Sequence, residues 1–371
     1  WLEATRMNAT VLCEVIGGVG FITLNRARAL NALNLEMVRS ITTALLGWKD
    51  DAKVHAVAIR GTSKTGNFGG FCAGGDIRFF HQAALAGNPE LEDFFSEEYV
   101  LNHLIHTYPK PYIAFMDGIV MGGGMGISQG ASHRLVTSNT KMAMPETNIG
   151  LFPDVGGGYF LSRCPGSSGE WLALTGEAID GPTAIALGLA DTFVDATRLE
   201  EAWQALAGLD ITRQSALDQW LATFSIAASA GSTWPGALID QVFSMASVDA
   251  MVEALEASSD EWAQKTAAQL RKRSPLMLHV VLEQIRRART MTLAEDLRME
   301  RNLVRHCFTT AHLGRSGVRS ETVEGIRALA VDKDHSPQWN PVRIEDVTPD
   351  MVEPFFVSPW PARAHPLASL S

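Results

Sequence analysis

An α/β fold with an added helical region is what this chain predicts, on three observations. Short apolar runs with strand character recur through the first two-thirds. Stretches of helical period separate them, giving a strand–strand–helix rhythm that suits a layered α/β fold better than a sandwich. Beyond about Leu199 the strand signals fade and helical periodicity takes over. The division expected is an α/β core over 1–200, a mainly helical region over 201–357, and a Pro/Ala/Ser-rich tail over 358–371 whose composition predicts disorder.

The elements follow in order. Val11–Ile16 and Val19–Leu24 flank Gly17-Gly18 and read as a hairpin. Leu35–Trp48 has the apolar spacing of an amphipathic helix. His55–Arg60 reads as a strand running into a long glycine-rich loop, Gly61–Gly75. Leu91–His106 reads as a helix, Tyr112–Met116 as a strand, Gly122–Gly130 as a glycine-rich helix entry, and Arg134–Thr137 as a strand. In the last third, 199–208, 249–271, 276–289 and 293–308 carry helical patterns. Ser274-Pro275 marks a helix start, with proline in the first turn. No fixed-period repeat is present.

Composition narrows the function classes. A net charge of −10 with pI near 5.5 argues against a general polyanion binder, whose affinity comes from Lys and Arg neutralising phosphates. The expectation is therefore a small-molecule partner and no nucleic acid. No apolar run reaches the roughly 18 residues of a bilayer span, so no membrane is expected. Cys13, Cys72, Cys164 and Cys307 are scattered without a CxxC or Cys/His cluster, so neither zinc nor another metal is predicted. They read as reduced thiols of an intracellular protein: cytoplasmic, or of the mitochondrial matrix if the source is eukaryotic. The chain opens on Trp1 rather than Met, so the lack of a visible targeting segment carries little weight.

Four features have the chemistry of a site. The loop Phe71-Cys72-Ala73-Gly74-Gly75-Asp76-Ile77 is built of small residues that admit a ligand to the backbone; a plain turn is the alternative. Met121-Gly122-Gly123-Gly124-Met125-Gly126 follows a strand and opens a helix, where unpaired N–H groups are available; tight packing is the alternative. It lacks GxGxxG spacing and is not a dinucleotide fingerprint. Together the loops suggest an oxyanion hole, with one N–H from each converging on a carbonyl oxygen. The third feature, Met144–Gly158, sets Glu146 and Asp154 among Met, Ile, Leu, Phe and Val. A carboxyl in apolar surroundings is poised as an acid or base. For Asp154 a simple N-cap competes, and for Glu146 a surface loop. The fourth is Glu98, which shares its helix face with Leu91, Phe94, Leu101 and Ile105; a structural acid is the alternative. No GxSxG elbow or Ser/His/Asp set is present, which excludes a serine hydrolase of that kind.

These motifs, in this order, resemble the crotonase (enoyl-CoA hydratase/isomerase) superfamily over roughly residues 11–200. Asn25–Asn34 resembles its CoA-contacting segment, and the loops at Gly74–Asp76 and Gly122–Gly124 resemble its two oxyanion-hole loops. The resemblance implies a spiral of ββα repeats with a helical C-terminal region. It implies Gly75 and Gly123 as the backbone donors. Asn31, Ala32, Arg26, Arg28, Ala73, Asp76 and Ile77 would border CoA; for Arg26 and Arg28 ordinary surface charge is the alternative. Hydratases of the superfamily carry a Glu two residues after the glycine triplet, where this chain has Gly126. Asp154 in FPDVGGG and Glu98 in Glu-Glu-Tyr instead resemble the 3-hydroxyisobutyryl-CoA hydrolases, as does the ending from Glu324 to Pro341. The activity implied is hydrolysis of a short hydroxyacyl-CoA thioester in valine breakdown. Glu146 would be base or nucleophile, Asp154 would hold the substrate hydroxyl or manage a proton, and Glu98 would orient the acyl end. No separate cofactor is implied, because CoA is part of the substrate, and a homo-oligomer is compatible with the family. An enoyl-CoA hydratase or isomerase, and a non-catalytic acyl-CoA-binding subunit, are the competing readings.

Overall fold

The computed structural model describes residues 9–371. The chain gathers into two compact units that interleave along the sequence instead of dividing near residue 200. Of the described residues, the first holds 9–75, 101–142 and 179–233; the second holds 76–100, 143–178 and 234–371.

The first unit is built on a six-stranded sheet in the order Val11–Ile16, Val19–Leu24, Ala56–Gly61, Tyr112–Met116, His133–Val136 and Thr192–Phe193. The opening hairpin is antiparallel and every later pairing is parallel. Parallel strands are covered on both faces and so read as continuous apolar runs. Val19–Leu24 and Tyr112–Met116 are buried at every position. Phe21, Ala58, Ile113, Phe115 and Leu135 pack against Trp203 and Leu206 of the helix Leu199–Ala207 and Trp220 and Phe224 of the helix Gln214–Phe224. The Trp203 ring centroid lies 4.7 Å from that of Phe21 and 5.3 Å from that of Phe115. Burying each such side chain contributes roughly 1.5–3 kcal/mol. Trp220 Nε1 donates to Ala202 O at 2.9 Å, so its polar end is satisfied inside this core. Asn34 starts the helix Leu35–Lys49 by accepting from Met37 N–H.

The second unit is mainly helical. Its long helices are Pro275–Ala288, started by Ser274, and Leu293–Phe308, started by a Thr292/Glu295 capping box. The stretch 249–271 is two helices, Val248–Ala257 and Glu261–Leu270, because Asp260 caps a fresh start on Ala263 N–H. The helix Gly236–Phe243 goes unread in the sequence, as does Gln214–Phe224 in the first unit. The helix Glu90–His106 gives the second unit its residues through Val100. Its Phe94 and Phe95 pack against Phe80, whose ring centroid lies 4.9 Å from both, and Phe95 also meets Phe308. Glu92 pairs with Arg301 and with Arg305 on the helix Leu293–Phe308.

The tail 358–371 departs from the disorder its composition predicts. Leu367 is fully buried, His365 Nε2 bonds Asn302 Oδ1 at 3.0 Å, and Arg298 Nη1 donates to Leu370 O at 2.7 Å. A few anchors thus outweigh the entropy favoured by its Pro/Ala/Ser content. Among the described residues, no helix is long and apolar enough to cross a membrane.

Candidate active site

In the first unit, the two glycine loops are laced together by main-chain bonds. Phe71 and Cys72 N–H donate to Asp117 O and Ile119 O, Met121 N–H returns to Cys72 O at 3.0 Å, and Leu33 N–H reaches Gly74 O at 2.7 Å. Glycine is required at two of these positions for different reasons. Gly74 has φ +116°, and a Cβ there would sit 3.4 Å from Met121 O and 3.8 Å from Gly123 N. A Cβ at Gly124 would lie 2.3 Å from Cys72 O, inside the carbonyl itself. Gly123 begins the short helix Gly123–Gly126. Among the described residues, the N–H groups of Gly75 and Gly123 meet no backbone acceptor. Two adjacent loops therefore present free donors, which is what an oxyanion hole requires.

The Asn25–Asn34 segment frames that arrangement from within. Asn31 is fully buried in the left-handed region at φ 55°. Its Nδ2 donates to Thr62 O, Gly70 O and Phe71 O at 2.6–3.2 Å, and its Oδ1 accepts from Arg26 N–H at 2.8 Å. The Asn31 side chain is thus committed to holding the loops. Arg26 Nη1 donates to Ala32 O at 2.8 Å, while Arg28 is exposed. Ala73 N–H donates to Leu30 O, which ties that loop to the same segment.

In the second unit, Asp76 caps the helix Ile77–Ala86 by accepting from Phe79 N–H, with Ile77 as its first residue. The carboxyls lie elsewhere in the unit. Glu146 opens a single 3₁₀ turn, Glu146–Ile149. Thr147 Oγ1 pins that turn to Leu174 O at 3.0 Å, Arg273 bonds Asn148 Oδ1, and Thr322 Oγ1 donates to Gly150 O at 2.7 Å. Glu98, Glu146 and Asp154 are all buried, at 2%, 7% and 6% exposure, so the surface-loop reading of Glu146 fails. Among the described residues, Glu98 Oε1 and Glu146 Oε2 meet no hydrogen-bond partner, so each offers a free oxygen in apolar surroundings. Leu91, Phe94, Leu101 and Ile105 are buried on the Glu98 face, as their helical spacing predicts.

Electrostatics couple the three acids. Burial raises the proton affinity of Glu146 well above the ordinary range, and a charge on Asp154 raises it further. Glu98 is raised by burial, then by Asp154 and Glu146. Asp154 is pushed up by burial to about 7, less far because the Tyr99 hydroxyl donates to its Oδ2 at 2.8 Å. Like-charged groups in one dry region do not all ionise at neutral pH, so protons are shared among them.

The N-cap reading of Asp154 also fails. The helix Gly157–Ser162 begins after Gly156 without a side-chain cap from its own segment. Gly156 and Gly158 N–H donate instead to Glu300, and Tyr159 N–H donates to Asp296. Val155 holds φ 56°, an uncommon conformation for a β-branched residue and one that costs on the order of 1–3 kcal/mol. Tyr99, Glu300 and Asp296 escape the sequence reading. Tyr99 adjoins Glu98, which was a usable signal; the other two lie in a helix dense in charge, which reads as a solvated face.

Comparison with known proteins places this geometry. A family model for enoyl-CoA hydratase/isomerase matches residues 19–356. A Danio rerio protein named 3-hydroxyisobutyryl-CoA hydrolase, mitochondrial, is 40% identical over 96% of this chain and 92% of its own length. The Xenopus tropicalis protein of that name is 39% identical over 92% of this chain and 87% of its own. Among solved structures, a carnitinyl-CoA dehydratase from Mycobacterium thermoresistibile superposes with a TM-score of 0.86 at 37% identity, covering 98% of this chain and 100% of that one. An enoyl-CoA hydratase from Rhodobacter sphaeroides gives 0.82 at 34%, covering 95% and 98%.

Proposed function

Because the chain belongs to the enoyl-CoA hydratase/isomerase family, we propose that it hydrolyses a short hydroxyacyl-CoA thioester, 3-hydroxyisobutyryl-CoA, to 3-hydroxyisobutyrate and CoA. The observation that carries the reading is the set of three buried carboxyls in the second unit, where Asp154 joins Glu146. In the first unit the position two residues after the glycine triplet is Gly126, which has no side chain to share in binding water. The relatives of that name, at 39–40% identity, support it.

Thioester hydrolysis needs donors for the developing oxyanion and a base for water. In this reading Gly75 and Gly123 N–H supply the donors; a single oxyanion-hole donor is worth about 3 kcal/mol in other acyl-transfer enzymes. Glu146, as carboxylate, takes a proton from water while the water oxygen bonds to the acyl carbon. The C–S bond then breaks, and the CoA thiolate leaves and is protonated. Alternatively, the Glu146 oxygen bonds to the acyl carbon, the C–S bond breaks to release the CoA thiolate, which is protonated, and water then opens the resulting anhydride to free the acid and restore Glu146. Asp154, held by Tyr99, binds the substrate hydroxyl or manages the proton, and Glu98 orients the acyl end. The CoA portion passes along Arg26, Arg28, Ala32, Ala73, Asp76 and Ile77; Asn31, fully buried with its amide, N–H and C=O all bonded within the protein, holds the loops beside that path. The reading keeps the chain cytoplasmic, or in the mitochondrial matrix of a eukaryote, which the four free cysteines support.

A thiol-trapping assay on 3-hydroxyisobutyryl-CoA tests this, with Glu146→Gln expected to bind the ester and release no CoA above background. Near-wild-type release by that variant removes Glu146 from the chemistry. The names of the solved relatives favour a second reading, hydration of an enoyl-CoA. Hydration of crotonyl-CoA without thioester cleavage would establish that one instead.

A further inference from the structure

A helix that starts beside an acid usually takes that side chain as its cap, yet here only the Asp154 carbonyl serves, accepting from Gly157 N–H at 2.8 Å, and its carboxyl does not. Other N–H groups at this helix start are claimed from a segment far along the chain. Gly156 N–H donates to Glu300 Oε2 at 2.8 Å, Gly158 N–H to Glu300 Oε1 at 2.9 Å, and Tyr159 N–H to Asp296 Oδ2 at 2.8 Å. Gln284 Nε2 donates to Pro153 O at 2.7 Å and to Glu300 Oε1 at 3.2 Å, fixing the other side of the turn. Glu300 and Asp296 are fully buried, one helical turn apart on Leu293–Phe308.

We propose that Glu300, backed by Asp296, is a positioning residue that takes the N–H groups of Gly156 and Gly158 and so keeps the Asp154 carboxylate on the Tyr99 hydroxyl, available to the substrate. Without Glu300 an acceptor within the turn's own segment is Asp154, since an aspartate side chain readily bonds the N–H two residues on in an Asx-turn. Asp154 would then leave Tyr99 for Gly156. Burial raises the proton affinity of both Glu300 and Asp296, and Asp296 raises that of Glu300 further, which fits a pair sharing one proton while accepting from three N–H groups. The inference rests on the proposed role of Asp154 in hydrolysis.

The test compares Glu300→Ala and Glu300→Gln with Asp154→Asn, with the double variants, and with Thr292→Ala, which removes the helix cap without touching the turn. Glu300→Ala is expected to lower kcat about 10- to 100-fold, the range that follows a small misplacement of a reacting group. KM should stay within about twofold, since binding of CoA is untouched. In the Asp154→Asn background the Glu300 change should cost nothing further. A crystal structure of Glu300→Ala should show Asp154 bonded to Gly156 N–H. If kcat falls no more than in Thr292→Ala, if the two losses multiply, or if Asp154 stays on Tyr99, the inference is overturned. Should Glu300→Ala not fold, Glu300→Gln answers by the same criteria, because its amide faces one of the two N–H groups. Wild-type protein that releases no CoA would sink the proposed function alone, and the position of Asp154 in the variant structure would still decide this point.

Discussion

Asp154→Asn should stabilise this protein, and increasingly so as pH rises. The folded chain holds Asp154 at about 7, against an ordinary 3.8. Between those values the unfolded chain has released the proton and the folded chain keeps it. The stability this group contributes is therefore complete at acid pH and is lost as pH rises towards 7. Each pH unit in that window costs ~1.4 kcal/mol, so the advantage of the neutral asparagine should grow by ~3 kcal/mol between about pH 5 and about pH 8, then level off. That figure is a ceiling, because Glu98 and Glu146 absorb part of the repulsion by staying protonated. Asparagine keeps the shape of the side chain, and its Oδ1 still accepts from Tyr99, so no hydrogen bond is lost with the charge. Denaturant unfolding of both proteins at the two pH values measures the difference. An asparagine variant equally stable relative to wild type at both values, or one that loses ground as pH rises, would refute the argument that burial governs this carboxyl.

The acid limb of kcat/KM should lie well above the usual glutamate range, because Glu146 works as a carboxylate and burial delays its ionisation; a pH–rate profile checks this, and a limb near 4.5 would contradict it. Tyr99→Phe removes the hydroxyl that favours the charged form of Asp154. The part of the profile set by Asp154 should move up by ~1 pH unit, with activity recovering at higher pH, as loss of a hydrogen bond to a charged group implies. Gly124→Ala should drive the new methyl into Cys72 O and spread the two loops, lowering kcat ~10- to 100-fold while the protein stays folded by circular dichroism.

Much of this was legible in the chain because the evidence was local. The hairpin Val11–Ile16 and Val19–Leu24 falls where its alternation and Gly17-Gly18 put it. Glu146 and Asp154 stood out because an acid among Met, Ile, Leu, Phe and Val has no solvated explanation, and Glu98 because it interrupts an apolar stripe. What stayed hidden depends on distance. Nothing near Asp154 says that Glu300 will take the helix start, so a local N-cap was a fair competing reading until the long-range bonds were seen. In Leu293–Phe308, Glu295, Asp296, Arg298, Glu300, Arg301 and Arg305 look alike, yet Asp296, Glu300 and Arg301 are buried. The merged reading of 249–271 failed on a single position, Asp260, whose capping role is plain only once the backbone turns there. Asn31 was read as a contact for CoA from a motif, while its amide is consumed by three carbonyls brought in from the loop Gly61–Gly75.

The remote capping of Gly156 bears on how the chain matures as it is made. The bond from Gly156 to Glu300 spans 144 residues. On the ribosome, the stretch with Asp154 emerges long before its partner, and contacts of such separation form late because the intervening loop must first close. A nascent chain stopped between Gly158 and Leu293 would carry every glycine and carboxyl of the proposed chemistry and still lack the acid that shapes the turn. Loss of the last third of the message should therefore silence the enzyme even where the α/β sheet has already formed.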